Sequence, residues 1–467
     1  MSHARTQWTV LAIALVAVAA RLPTVNWPML PDEAGFSMVA AQWHQGSSLY
    51  GDYWVDRPPL LIAIFGVVHL MGGSLLAIRT LGLLATAWSV LAAGWLGNQV
   101  AGIKGAAIAA ATAGVFLTSP TLMAWEVNGE LLAVPLVLTS VGMLRRATSG
   151  PHAHWMWAVG AGATGLAAAM VKQNFIDGLL AIGIVAVWRL FHSPRRGLML
   201  LCFGALGALG TAVILVWFAA SRGTTLVGLW DAVVTFRAEA ASVVSKSSSP
   251  ATALRFKTLM LALAFSGVLV PLLLWLPGIR LQRDREWVFV VVGLMAWETF
   301  GVVAGASYWL HYLVGLVPAL VLMSAAIAPQ RLKWAYTGLT AACLVSLGVG
   351  LNINTKGADP AQLAYLKANI RPGDTATIAF GKAELLQETG LSSPYKYLWS
   401  LPVRVRDPHL RQLRTVIQSP SRPTWLLLDS HPLRSWGISP GDIGEEIREH
   451  YTRWAVINGM RFLHSND

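Results

Sequence analysis

The feature that most constrains this chain is a series of long apolar runs along its first three quarters. Each run has roughly 17–25 residues, the length that a helix needs to cross about 30 Å of hydrocarbon. Charged residues make up only 12% of the 467 residues. Soluble domains carry about 25% charged residues. The sequence therefore predicts a multi-pass membrane protein with a mainly helical fold.

Eleven apolar segments are predicted to be transmembrane helices. They are 8–26, 75–98, 104–122, 130–145, 155–172, 175–193, 197–219, 257–277, 287–305, 309–328 and 333–352. The first segment resembles a signal peptide, with small residues at Ala17 and Ala19. We interpret it as a retained helix because another membrane protein follows it, and not a soluble domain.

A shorter apolar run at 58–72 decides the predicted orientation of the chain, because it is short for a span and more typical of an interfacial helix. If it does not cross, four basic loops fall on the side of the N-terminus, as the positive-inside rule requires. These loops contain Arg145-Arg146, Arg189 with Arg195-Arg196, the cluster Arg280, Arg283 and Arg285, and Arg331 with Lys333. The N-terminus is therefore predicted to be cytoplasmic and the C-terminus outside the cell membrane.

This topology leaves four pieces of the chain on the outer side. They are the loop 27–74, the junction 123–130, the loop 220–256 and the chain from residue 353. The basic residues are explained by orientation, so the net charge of +12 does not indicate nucleic-acid binding. The only two cysteines, Cys202 and Cys343, lie in apolar runs and imply neither a disulfide framework nor a cysteine metal site.

The chain divides by composition into a transmembrane part, 1–352, and a small extracytoplasmic α/β domain, 353–467. Four patterns support the second domain. They are a helix N-cap at Asp359-Pro360, buried strands at 375–380 and 424–429, a helix from Ser439-Pro440 to Glu449, and a hairpin turn at Asn458-Gly459. Its scattered glycines give no nucleotide-binding fingerprint, so we predict an accessory domain that contacts substrate or a partner.

The first outer loop carries the most informative chemistry. Asp32 and Glu33 follow the first helix directly, and a carboxylate pair at the membrane boundary is costly unless it is hydrated, paired or functional. One interpretation is structural: Asp32 would cap a helix and Glu33 would complement its dipole. The other is functional, because Arg57 precedes Pro58-Pro59 in the same loop among aromatic residues.

This ordered set resembles a known superfamily. The set consists of the stretch PDEAGF, then DRPPL, then Arg79 near the start of the next helix. The same order of residues is found in the GT-C superfamily of glycosyltransferases, which this sequence resembles. The resemblance is to the branch (glycosyltransferase family 39 type) of protein O-mannosyltransferases and lipid A aminoarabinose transferases. Those enzymes share an Asp-Glu in the first outer loop and a Lys/Arg-Pro that begins a non-crossing helix. The resemblance covers the first 200 residues well and the later helices by layout.

The resemblance implies a role for each matching residue. Asp32 would be the catalytic base, Glu33 its supporting neighbour, and Arg57 a ligand of the donor phosphate. A second acid is expected at Glu126 or Glu130, with Glu130 preferred. The remaining implied residues are Lys172 and Arg79 for the phosphate and His311, Tyr312 and Tyr308 for the donor or acceptor pocket.

The chemistry of a polyprenyl-phosphate sugar requires these residue types. An acceptor hydroxyl needs a base within hydrogen-bond reach, and the departing phosphate needs fixed cations such as arginine and lysine. A membrane glycosyltransferase with a polyprenyl-phosphate donor is the predicted function. No cofactor is predicted, although the acids at 32, 33, 126 and 130 could bind a divalent cation. The sugar, and the choice of a glycan, protein or lipid acceptor, stay open.

Structural alternatives accompany these assignments. Lys172 could be a lysine that snorkels to the interface, Arg79 could orient its helix, and the aromatic residues at 308–312 could form an interfacial belt. Two other functions also stay open. One is a transporter or flippase of lipid-linked sugars, although we see no inverted repeat. The other is an assembly protein without catalytic activity.

Overall fold

The protein is described here by a computed structural model, which covers residues 2–149, 154–246, 250–281, 284–353, 355, 357–429, 433 and 438–466. Arg283, one of the basic residues used to predict orientation, lies outside the described residues. The first three quarters of the chain are almost entirely helical, as the apolar runs predict.

Ten helical stretches account for the predicted spans. They are Ser2–Arg21, Leu75–Leu117, Gly129–Thr148, Trp155–Val171, Asp177–His192, Pro194–Ser221, the pair Pro250–Phe265 and Leu269–Trp275, Arg285–Ala304, the pair Leu310–Leu316 and Val317–Ala325, and Leu332–Asn352. The stretch Leu75–Leu117 contains two predicted spans. They are separated by a kink at Ala101 and Gly102, where Gly102 has a φ of 60° that glycine adopts without strain.

Length and composition allow six of the described helices to cross a membrane, or seven if the bent pair at 250–279 is one span. Three further apolar helices are shorter, namely Pro59–Leu70, Trp155–Val171 and Leu310–Ala325. The protein is a multi-pass membrane protein, and the exact number of eleven crossings stays a prediction. Pro59–Leu70 has 12 residues, about 18 Å of helix, which is less than the hydrocarbon thickness.

The chain forms two compact units. The first, called the helical unit, comprises Met1–Asn26, Leu76–Leu215 and Pro250–Asn354. The second, called the mixed unit, comprises Trp27–Leu75, Val216–Ser249 and Thr355–Asp467. The three segments of the mixed unit correspond closely to three of the pieces that the predicted topology places outside. The domain boundary predicted after residue 352 coincides with the end of a helix and stays a prediction.

The mixed unit contains a small four-stranded sheet in the order β1-β2-β4-β3. Its strands are β1, Ala376–Ala379; β2, Trp425–Leu428; β3, Tyr451–Ile457; and β4, Met460–Ser465. β1 and β2 are parallel, whereas β4 runs antiparallel to both of its neighbours. Asn458 and Gly459 have φ values of 46° and 82°, so the predicted hairpin turn is present.

Several short helices complete the mixed unit. They are Pro31–Gln42, Pro59–Leu70, Leu226–Trp230, Phe236–Lys246, Pro360–Asn369, Ala383–Thr389, Ser400–Arg406, Arg411–Gln418 and Ile443–His450. Asp359 caps Pro360–Asn369 as predicted, because its carboxylate accepts hydrogen bonds from the backbone N–H groups of Ala361 and Gln362. The helix predicted from Ser439-Pro440 begins only at Ile443.

One hydrophobic core joins the three segments of the mixed unit. Trp54 from the first segment packs against Phe236 from the second at 4.5 Å and against Tyr397 from the third at 6.2 Å between ring centroids. The backbone N–H of Trp54 also donates to the carbonyl of Lys396. The three segments of the mixed unit are therefore one folded body.

Candidate active site

The helical unit holds a buried ion pair between Glu130 and Lys172. Glu130 lies in the first turn of Gly129–Thr148, whose N-cap Asn128 accepts a hydrogen bond from the backbone N–H of Leu131. Lys172 ends the helix Trp155–Val171. A Cβ at Gly129 would lie 3.1 Å from the Lys172 side chain, so the glycine allows the lysine to lie along the start of the neighbouring helix.

Two more of the predicted residues join this cluster. His311 is buried, with Nδ1 3.2 Å from the carboxylate of Glu126 and Nε2 3.5 Å from that of Glu130. The ammonium group of Lys172 lies 5.0 Å from the ring centroid of Tyr312, a cation–π contact. The structure thus brings together both candidate second acids and two candidate pocket residues. Tyr308 instead packs edge-on against Phe256.

A residue that the sequence analysis missed, Arg21, holds the loop that leads to these acids. It is 2% exposed and donates hydrogen bonds to the backbone carbonyls of Leu117, Ala124 and Trp125. The fully buried guanidinium group of Arg79 lies over the Trp125 ring at 5.8 Å. A last-turn arginine in a span reads as a snorkelling group, so only the packed structure reveals the role of Arg21.

Two further buried acids lie in the same unit and were not predicted. Asp177 begins the helix Asp177–His192 and is fully buried, and Glu298 lies in Arg285–Ala304 at 3% exposure. Glu298 interacts electrostatically with Asp177, Lys172 and Glu130. Lys172 therefore interacts with at least two buried carboxyl groups of the helical unit, those of Glu130 and Glu298.

In the mixed unit, the motif PDEAGF forms the start of the helix Pro31–Gln42. The predicted structural role of Asp32 as helix cap is wrong, because Pro31 begins the helix and Leu30 is the N-cap. Glu33 performs the capping instead. It is fully buried, and its Oε2 accepts the backbone N–H of Leu30 at 3.0 Å. This bond closes the first turn of the helix.

The half-buried carboxylate of Asp32 has one hydrogen-bond partner among the described residues of its unit. Trp399, from the C-terminal segment, donates its indole N–H to Asp32 Oδ1 at 2.8 Å. The Trp399 ring lies directly on the helix, 5.7 Å from the Phe36 ring centroid. A Cβ at Gly35 would overlap this ring, so the glycine of the motif is what lets the indole approach.

Arg57 lies close to the same helix. Its guanidinium group is 5.7 Å from the centroid of the Phe36 ring, the ring that Trp399 also contacts. Arg57 donates to the carboxylate of Asp56 at 2.6 Å, and Arg237 pairs with the other oxygen of that carboxylate. Burial opposes ionisation of Asp56, but the attraction of Arg237 and Arg57 is stronger and lowers its pKa.

Comparison with known structures identifies the fold. The chain superposes on ArnT from Cupriavidus metallidurans bound to undecaprenyl phosphate with a TM-score of 0.62 and 13% identity, over 97% of both chains. It superposes on the oligosaccharyltransferase AglB from Archaeoglobus fulgidus, in complex with an inhibitory peptide and a dolichol-phosphate, with a TM-score of 0.51 and 11% identity, over 99% of this chain and 75% of AglB. For the arabinofuranosyltransferase AftD from Mycobacteria the TM-score is 0.50 and the identity 16%, over 98% of this chain and 40% of AftD.

All three are GT-C superfamily glycosyltransferases, and the predicted GT-C fold is confirmed. No protein-family model matches the sequence, and no curated protein sequence matches it. The molecule is thus a multi-pass membrane protein with the GT-C fold, and two of the similar structures, ArnT and AglB, contain a bound lipid phosphate.

Proposed function

We propose that this protein is a membrane glycosyltransferase that moves a sugar from a polyprenyl-phosphate donor to an acceptor hydroxyl on the extracytoplasmic side. The observation that carries the proposal is the end-to-end match to a transferase bound to undecaprenyl phosphate, over 97% of both chains. The loop motif PDEAGF agrees with it, because this stretch begins a helix whose N-cap is Leu30 and not Asp32.

Asp32 is the general base in this proposal. The acceptor hydroxyl oxygen attacks the anomeric carbon of the sugar, and its proton passes to the Asp32 carboxylate. The bond from the anomeric carbon to the phosphate oxygen breaks, and its electron pair leaves with the lipid phosphate. Such proton transfer contributes about 10²–10⁴-fold to a rate. Oδ2 of Asp32 accepts no hydrogen bond from described residues of the mixed unit, so it is the oxygen assigned to the acceptor.

Arg57 is proposed to bind the leaving phosphate. A guanidinium group presents two parallel N–H donors that match two phosphate oxygens. Arg57 lies against Phe36, which is one helical turn from Asp32. Asp56 also pairs with Arg237, so it keeps a cationic partner when Arg57 binds the phosphate. Lys172, in the helical unit, is proposed separately as a phosphate-binding cation, a role that would require its ion pair with Glu130 to open.

The orientation of the chain is part of this proposal. The N-terminus is cytoplasmic, and the C-terminal chain lies outside the cell membrane. A cysteine placed at Ser74, just after the non-crossing helix Pro59–Leu70, should react with a membrane-impermeant maleimide added from outside. Reaction only after the cytoplasmic face is opened would overturn the topology.

The test of the function compares three proteins at matched expression in membranes: the wild type, Asp32→Asn and Asp52→Asn. Asp52 is an exposed acid in the same loop and is the matched control. Radiolabelled sugars are supplied on a panel of polyprenyl-phosphate donors, and the label in endogenous acceptors is counted. We expect the wild type and Asp52→Asn to transfer one of the sugars and Asp32→Asn to lose at least 99% of the rate.

Absence of transfer by the wild type from every donor in the panel would contradict the proposed function. Transfer by the wild type with a rate retained in Asp32→Asn would keep the function and remove Asp32 from the role of base. Gel filtration in detergent shows whether Asp32→Asn is folded, so that loss of rate is not loss of protein.

A further inference from the structure

The C-terminal segment contributes a side chain to the acid at the start of the first outer loop. Trp399 and Asp32 are 367 residues apart in sequence, yet the indole N–H lies 2.8 Å from Asp32 Oδ1. Both residues belong to the mixed unit, whose three segments share one core. The sequence predicts only an accessory role for this part of the chain. The hydrogen bond to Asp32 indicates a more specific one.

We propose that Trp399 is a positioning residue that fixes the carboxylate of Asp32 for proton transfer, an inference that rests on the function proposed above. The indole donates one hydrogen bond and has no acceptor of its own, so it orients the carboxylate without taking the proton. It is also uncharged, so it forms a hydrogen bond with Asp32 and not an ion pair. A carboxylate held at Oδ1 can rotate little, and Oδ2 stays directed to the acceptor.

The packing around the indole supports a fixed position. The ring contacts Phe36 on one side and lies over Gly35, where any larger side chain would overlap it. Trp399 is the N-cap residue of the helix Ser400–Arg406, so its backbone is anchored by the fold of the C-terminal segment. A rigid donor matters because misplacement of a reacting group by about 1 Å can cost about 100-fold in rate.

The proposal predicts a specific kinetic change in Trp399→Phe. Phenylalanine keeps an aromatic ring against Phe36 and removes the N–H donor. We expect kcat to fall about tenfold, as for the loss of one hydrogen bond to a charged group, while the KM of the donor stays within twofold. Trp454→Phe is the matched control, since Trp454 is an exposed tryptophan on β3 of the same unit, and its kcat should equal that of the wild type.

Two further variants separate positioning from general stability. Gly35→Ala pushes the ring away from the other side and should lower kcat in the same way. Asp32→Glu moves the carboxylate by one methylene and so breaks the contact; in that background Trp399→Phe should change kcat by less than twofold. An equal factor in both backgrounds would show that Trp399 acts independently of Asp32 and would overturn the proposal.

The outcomes also distinguish the two proposals. An unchanged kcat in Trp399→Phe, with the wild type active and Asp32→Asn inactive, would refute the positioning role and leave the glycosyltransferase intact. A wild type that transfers no sugar from any polyprenyl-phosphate donor would refute the function itself, and the positioning role with it.

Discussion

The charged clusters of the two units are built in opposite ways. In the helical unit, Glu130 is neutralised by Lys172, and His311 lies beside both Glu130 and Glu126. In the mixed unit, Asp32 contacts an uncharged donor and forms no ion pair with the described residues of that unit. The cluster of the helical unit thus pairs opposite charges, whereas the carboxylate of Asp32 is contacted by a neutral donor.

The two clusters are therefore candidates for different steps of the proposed reaction, proton transfer at Asp32 and phosphate binding at Lys172. In the proposed reaction the base must be accessible to the acceptor, and Asp32 is half-buried whereas Glu130 is only 3% exposed. Lys172 is paired with Glu130, so a role in phosphate binding, as proposed above, would require this ion pair to open.

The largest effect, on the free energy of unfolding, is expected when the Glu130–Lys172 ion pair of the helical unit is broken. Lys172→Ala leaves Glu130 buried without its cation, which costs about 3–5 kcal/mol of stability. The double variant Glu130→Gln with Lys172→Met replaces both charges and should recover most of that loss. Thermal unfolding in detergent, followed for the wild type and both variants, measures the effect. Equal midpoints for the wild type and Lys172→Ala would mean that the pair does not hold this unit together.

A second test uses a buried acid of the mixed unit whose pKa is raised. Glu384 is 4% exposed, and burial raises its pKa to about 7 despite the attraction of Lys382. Between about pH 4.5 and 7 the folded state binds more protons than the unfolded state, so stability falls as pH rises, by about 3 kcal/mol at most. Glu384→Gln should flatten this dependence in unfolding curves recorded from pH 4.5 to 8. If the stability of Glu384→Gln still fell with pH by the same amount, the pH dependence would belong to another group.

A smaller effect is expected for Arg57, because Asp56 has a second arginine partner. Arg57→Ala should raise the donor KM about tenfold, by loss of a phosphate contact, and should lower the unfolding midpoint much less than Lys172→Ala does. Steady-state transfer at varied donor concentration measures the KM. Arg453→Ala, which removes an exposed arginine of β3, is the control. A KM equal to that of the wild type would show that Arg57 does not contact the donor phosphate.

The smallest effect is expected from metal removal. Arginine and lysine can neutralise a donor with one phosphate, so we propose that no divalent cation is required. Addition of a chelator to membranes should leave the initial rate of transfer within twofold. A loss that added Mg²⁺, Mn²⁺ or Zn²⁺ restores would assign a metal to the acids instead.

Much of the fold could be predicted because it is encoded locally. The apolar runs gave the helices, Asp359 capped the predicted helix, and Asn458-Gly459 formed the predicted turn. The helix expected at Ser439-Pro440 starts three residues after proline, at Ile443, because a proline fixes only its own φ and does not force the helix to begin there. The GT-C resemblance also came from local motifs, and the fold confirms it.

Local sequence patterns were sufficient to predict a membrane protein with a particular set of helices, an Asp-Glu motif in the first loop and a hairpin near the C-terminus. These follow from hydrophobic length, periodicity and turn chemistry, which act over a few residues. The tertiary structure decided which side chains meet. In the folded protein Glu33, and not Asp32, caps the helix. Arg21 donates hydrogen bonds to backbone carbonyls that are distant in sequence, and Trp399 donates one to Asp32. Such contacts depend on how segments far apart in sequence pack together, and no local pattern records that packing.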